Sequence, residues 1–222
     1  MEWTITRWDD PKLIYIAIAK VANTSVKAAL LRSYVEDRRW PNPHDESVPY
    51  ETATVEEIDT TYADYTPFAV VRNPYDRLVS FWGDKIVGSG WYPRFGALGF
   101  TRGQSFEDAA RVAATLPDHA TDPHCQSQCG RLVTADGVLL PSILVKFENL
   151  EDEWRKVQDV ALRNGAAPIK SLKQRRVSKH NPWWTYYDDD LAQVVADRYA
   201  EDFARLGYST AIEPGPGEDE HA

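Results

Sequence analysis

Sulfur is scarce in this chain: its 222 residues include one methionine and two cysteines, Cys125 and Cys129. Their spacing permits one small disulfide, or a metal site shared with His119 and His124. A zinc site shows four ligands in recognisable pairs, and the second pair is missing, so reduced structural thiols are expected. Long hydrophobic runs are missing too. The longest, Leu13 to Ala19, is far too short to span a bilayer. Met1-Glu2-Trp3-Thr4 lacks the basic, apolar, small-residue order of a signal peptide, and Asp9 and Asp10 add charge where an apolar stretch would stand. No integral membrane segment and a cytoplasmic location are therefore expected. Positive charge is also in deficit. With 25 Lys and Arg against 34 Asp and Glu, the net charge of -9 argues against general nucleic-acid binding.

What remains is an ordinary globular composition, and 222 residues suffice for one domain with a full core. No internal repeat or linker divides the chain. One domain is expected over residues 1–211, followed by a Pro-Gly-acid tail at 212–222 that is expected to be disordered.

Leu13-Ile14-Tyr15-Ile16-Ala17-Ile18 is short, β-branched and bounded by Pro11 and Lys20, which predicts a strand. Its apolarity is continuous, as in a parallel strand buried on both faces. From Thr24 the spacing becomes helical through Val26, Leu30 and Tyr34, and stops before Trp40-Pro41-Asn42-Pro43. Residues 41–50 read as a surface loop. Phe68-Ala69-Val70-Val71 predicts a second strand. Asn73 then suits an N-cap and Pro74 the first helical position, where its missing N–H costs nothing. Tyr75, Leu78, Val79, Trp82 and Ile86 continue at helical spacing.

Residues 87–103, rich in glycine and aromatics, read as a long loop of the kind that carries function. A helix is expected over about 106–115. Residues 142–147 predict a third strand, and Glu148 to Glu153 an acidic helix start whose stripe runs through Trp154, Val157, Val160 and Ala161. A last helix is expected after Asp188-Asp189-Asp190, burying Leu191 to Leu206 and stopping at Gly207. Strands alternating with helices predict an α/β fold: a central, mainly parallel sheet flanked by helices.

Two strand-to-helix turns carry the chemistry. In the first, Lys20 follows the strand, and Val21, Ala22, Asn23, Thr24 and Ser25 lead into the helix. Such a turn aims backbone N–H groups and the positive end of the helix dipole at an anion. Lys20 adds a mobile charge; Thr24 and Ser25 add hydroxyl donors. The nucleoside-triphosphatase form of this device needs Ser or Thr beside the lysine to hold magnesium, and Val21 stands there. In the second turn Arg72 ends a strand and Ser80 lies on the helix after it, able to meet a phosphate beside that helix. The alternative for Arg72 and Arg77 is a surface ion pair with Asp76 or Asp84. Two phosphate turns point to a nucleotide phosphorylated at both ends. Lys170, Lys173, Arg175, Arg176 and Lys179 form a basic island without acids, suited to an anionic ligand or to solvent.

Ile18-Ala19-Lys20-Val21-Ala22-Asn23-Thr24-Ser25 resembles the 5′-phosphosulfate loop of the sulfotransferase superfamily. Val71 to Ser80 resembles its 3′-phosphate motif. The similarity is closest to the carbohydrate branch of the chondroitin and dermatan type, and extends to Asp122-Pro123-His124 and to Val145-Lys146-Phe147-Glu148-Asn149-Leu150. Asn23 stands where that family usually has a small residue such as glycine or cysteine.

The resemblance implies a P-loop-like sulfotransferase fold and the sulfuryl donor 3′-phosphoadenosine 5′-phosphosulfate. It further implies a hydroxyl acceptor of the carbohydrate class, and no metal. Lys20 would neutralise the bridging oxygen as the 5′-phosphate leaves, with Thr24, Ser25 and the loop amides holding that phosphate. Arg72 and Ser80 would hold the 3′-phosphate, and Arg176 and Lys179 would close over the nucleotide. His124 is the expected base, since imidazole titrates in the useful range, with Glu148 in reserve. Trp40, Trp91, Tyr92, Trp183 and Trp184 offer faces for a sugar, or pack beneath loops. The rivals are a kinase-like phosphotransferase, disfavoured by Val21, and a non-catalytic nucleotide-binding relative.

Overall fold

The computed structural model describes residues 5–35, 42–45, 47–172 and 180–213. In chain order the first elements are β1 (Ile5–Trp8), β2 (Leu13–Ile16), α1 (Asn23–Tyr34), β3 (Glu51–Thr52), α2 (Val55–Ile58) and β4 (Thr66–Val71). Next come α3 (Pro74–Phe81), a π-helical turn at Trp82–Val87, α4 (Pro93–Ala97), α5 (Phe106–Thr115) and α6 (Cys129–Leu132). The chain ends with β5 (Ile143–Lys146), α7 (Leu150–Arg163), α8 (Asp189–Arg198) and α9 (Ala200–Leu206). No helix among the described residues is long and apolar enough to cross a membrane. The chain forms two compact units, Met1–Val71 with Arg131–Arg176, and Arg72–Gly130 with Val177–Ala222.

The first unit holds a five-stranded α/β sheet in the order β3-β1-β2-β4-β5. β2, β4 and β5 run parallel, as their continuous apolar sequences predict. All of β2 is buried, and so are Phe68, Ala69, Val70 and Val71 of β4. Two antiparallel pairings, β1 with β2 and β1 with β3, extend the sheet beyond this parallel core. On the core side Tyr15 stacks on Phe68 at 5.0 Å, and Phe68 meets the edge of Trp154 from α7 at 5.9 Å. Fully burying a side chain of this size stabilises by roughly 1.5–3 kcal/mol, so the Tyr15–Phe68–Trp154 column is a main fastening of helix to sheet. Three acids in the first turn of α7 and Arg163 in its last complement the helix dipole.

The second unit is helical around aromatic rings. Tyr75 of α3 stacks on Trp183 at 5.7 Å and meets Tyr187 and Phe203, each at 4.8 Å. Residues 87–103, expected as loop, contain α4, whose Phe95 is fully buried with Phe100 beside Phe81. The expected last helix is two, because Tyr199 leaves helical geometry (φ -111°, ψ 27°) and donates its hydroxyl to the Cys125 carbonyl at 2.6 Å. Cys125 and Cys129 are free and buried, and burial pushes the Cys125 thiol up to about 11.

Candidate functional site

In the first unit the link from β2 to α1 is built with two non-glycine residues in the left-handed region, Lys20 (φ 68°) and Ala22 (φ 65°). Backbone of this kind costs on the order of 1–3 kcal/mol per residue and gathers at ligand clamps. Exposure alternates along the turn: Lys20, Ala22 and Thr24 are half-buried, while Val21, Asn23 and Ser25 are buried. Ala22 caps α1 with no side-chain hydrogen bond, and the first turn of the helix carries no acid. Its positive end is thus not neutralised by a carboxylate of its own first turn. Both amide atoms of Asn23, a residue only 6% exposed, are buried and have no hydrogen-bond partner among the described residues. An orphaned buried amide costs about 1–3 kcal/mol per group, which an arriving polar ligand can recover.

Thr24 brings in a residue that the sequence did not single out. Its Oγ1 lies 2.8 Å from Nε2 of His44, in the segment expected as a plain surface loop. The signal available was a histidine directly after Pro41-Asn42-Pro43, with nothing to say which element it would meet.

In the second unit the turn after β4 forms as expected. Asn73 accepts from the Tyr75 N–H at 2.9 Å, and Pro74 opens α3. Arg72 is pinned by its backbone: its N–H donates to Gln128 Oε1 at 3.0 Å, and its carbonyl accepts from Gln128 Nε2 at 2.8 Å. Gln128 thereby pairs with Arg72 much as a neighbouring strand would. The Gln128 and Cys129 N–H groups donate to the fully buried Asp202 at 2.8 and 2.7 Å. Burial raises the Asp202 carboxyl above its ordinary value in spite of those bonds. The ion pair of Arg72 with Asp76 does form, at 2.6 Å, but it is buried and not on the surface. Arg77 is likewise buried and not at the surface. Buried to 3% exposure, it donates to the carbonyls of Gln126 at 2.7 Å and Pro123 at 3.3 Å. Ser80 is buried on the same helix.

Those two carbonyls flank His124. Its Nδ1 lies 2.6 Å from Asp122 Oδ1, which also accepts the His124 backbone N–H at 3.0 Å. Burial alone would raise the Asp122 carboxyl, but the bonds from His124 outweigh it and hold the group below its ordinary value. Arg94 stands 3.8 Å from the other Asp122 oxygen and donates to the Thr121 carbonyl at 3.3 Å. Phe95 packs edge-on to the imidazole at 6.5 Å. With Nδ1 engaged by a carboxylate, Nε2 is the ring nitrogen from which proton transfer would run.

The remaining candidates divide. Glu148 is exposed in the short turn at Phe147–Asn149 just before α7, in the first unit. Tyr92 is exposed and Trp91 half-buried, both against Phe95. Trp183 is a core residue, and Trp184 packs on it. Arg176, Lys179 and Trp40 lie outside the described residues.

A family model described as "Sulfotransferase family" matches residues 3–209. The chain belongs to the sulfotransferase family. Its match spans both compact units, so both strand-to-helix turns fall within the family region. No curated protein and no solved structure matches the chain significantly. Family membership makes sulfuryl transfer to an acceptor substrate the general activity.

Proposed function

We propose that the donor is 3′-phosphoadenosine 5′-phosphosulfate, that the acceptor is a hydroxyl of carbohydrate type, and that both units serve one sulfotransferase domain. The observation that carries the donor assignment is the α1 turn: left-handed Lys20 and Ala22, no acid in the helix's first turn, and the buried unpartnered amide of Asn23. These groups suit a phosphosulfate, which offers oxygens to many donors at once. Arg72 and Ser80 are assigned to the 3′-phosphate, and Arg176 and Lys179 to closure over the nucleotide. The exposed ring of Tyr92 and the half-buried Trp91 offer faces to a sugar.

In this reading the acceptor oxygen attacks sulfur in line while the bond from sulfur to the bridging phosphate oxygen breaks. Adenosine 3′,5′-bisphosphate leaves with that electron pair. Lys20 neutralises the charge that grows on the bridging oxygen, an interaction strongest in the transition state. His124 Nε2 takes the acceptor's proton, and Asp122 stabilises the imidazolium that results. Incubation with the labelled donor and a panel of sugars, phenols and alcohols tests the reading. Donor-dependent sulfation of sugar hydroxyls is the expected result; transfer confined to phenols would overturn the carbohydrate assignment.

A further inference from the structure

Thr24 can serve an anion in only one of the two ways it can bond to His44. If His44 Nε2 accepts, the threonine proton is consumed and the hydroxyl turns lone pairs toward the loop. If Nε2–H donates, Oγ1 is satisfied as an acceptor and its proton points away, toward whatever occupies the turn. An anion in the turn favours the second arrangement, and an imidazolium permits no other. We propose that His44 is a positioning residue: it donates to Thr24 and holds that hydroxyl ready to donate to the 5′-phosphate of the sulfuryl donor.

The surroundings of His44 fit a part made to hold still. Its backbone N–H donates to Asn42 Oδ1 at 3.2 Å, and the Asp45 N–H donates to the Asn42 carbonyl at 3.1 Å. Tyr50 donates its hydroxyl to the Pro43 carbonyl at 2.8 Å. The same Tyr50 ring sits 4.8 Å from Nζ of Lys27, one turn along α1 from Thr24. The segment therefore meets α1 at two points, through His44 on Thr24 and through Tyr50 on Lys27. Beside Thr24, the orphaned amide of Asn23 independently marks the turn as a place built to receive polar atoms. A base would need to stand beside the acceptor hydroxyl, on the far side of sulfur from the leaving phosphate. His44 is instead engaged with the residue assigned to that phosphate.

This inference rests on the 5′-phosphate reading of the turn, and a double-mutant cycle on nucleotide affinity separates the two. Adenosine 3′,5′-bisphosphate and adenosine 3′-monophosphate are the probes, titrated by calorimetry into wild type, His44→Phe, Thr24→Val, the double variant and His44→Gln. Fixing a rotamer in advance is worth a factor of about three to ten in affinity. His44→Phe should lose that factor for the bisphosphate and nothing for the 3′-monophosphate. The loss should vanish in the Thr24→Val background, and His44→Gln, whose amide keeps a donor, should recover most of it. Unchanged bisphosphate affinity in His44→Phe, or effects that add in the double variant, would overturn the positioning role and leave the phosphate reading intact. Failure of the wild type to bind the bisphosphate would overturn both.

Discussion

Arg77 donates from Nη1 to the carbonyl oxygen of Gln126 at 2.7 Å, and this bond fastens α3 to the loop that carries His124. The helix assigned to the 3′-phosphate and the proposed base are therefore parts of one braced structure. Cys125, between Pro123 and Gln126, is held as well, through the hydroxyl of Tyr199. Asp118, earlier in the same loop, accepts from Ser127 and from Arg198 of α8. A loop without regular structure keeps a fixed shape here because its carbonyls and N–H groups are met one by one.

Removing the brace has a foreseeable cost. Arg77→Ala leaves the Gln126 and Pro123 carbonyls without their buried donor and opens a cavity, so a loss of about 2–4 kcal/mol is expected. Arg77→Lys cannot supply the forked donor and should recover little. Urea unfolding of the three proteins checks this; a loss under about 0.5 kcal/mol for Arg77→Ala would show that the loop is held by its other bonds.

Asp122→Asn should lower turnover by about tenfold or more, because the imidazolium loses its carboxylate and the Nδ1 tautomer its partner. Bisphosphate affinity should stay unchanged, since Asp122 is assigned no contact with the nucleotide. Initial rates at saturating donor and a binding titration decide this; equal losses in both would make Asp122 a structural residue only.

The same carboxylate sets a pH dependence. The Asp122 and Asp118 carboxyls are both held below their ordinary value: burial raises each, and bonds from His124 to the one and from Ser127 and Arg198 to the other outweigh it. Groups depressed in the folded state contribute stability that is present above the unfolded carboxylate pKa, about 3.9. That contribution is lost as pH falls through the folded values. Thermal melts from pH 6 to pH 3 should fall steeply below about pH 4, and less steeply for Asp122→Asn. An identical slope in the variant would remove Asp122 from the account.

Asn23→Ala should separate stability from binding. The ligand-free protein should gain about 1 kcal/mol or more as a buried unpartnered amide is removed, while bisphosphate affinity falls. Melting temperatures with and without nucleotide supply both numbers. Loss of stability without ligand would mean that the Asn23 amide supports the fold and does not await a ligand.

Much of the frame was legible because it is local. The runs from Leu13 and from Phe68, the Asn73-Pro74 helix start and the stripe of α7 each need only neighbouring residues to be read. β1 was not legible: Ile5-Thr6-Arg7-Trp8 becomes a strand by pairing with β2 and β3, and β3 has just two residues. α4 was hidden by Pro93 and Gly96, and only the burial of Phe95 explains why that segment folds. At the site the loop residues were legible as a motif, but their partners were not. Nothing near Arg77 in sequence foretells carbonyls 46 and 49 residues away, nor does Thr24 foretell His44.

Thermal unfolding with three nucleotides tests the central claim most directly, since a ligand that binds only the native state raises apparent stability by mass action. A site for two phosphates at opposite ends of one nucleotide predicts that adenosine 3′,5′-bisphosphate stabilises more than adenosine 5′-monophosphate, and more than ATP with magnesium. Equal or greater stabilisation by ATP with magnesium would contradict the sulfuryl-donor assignment and favour a kinase-like phosphotransferase.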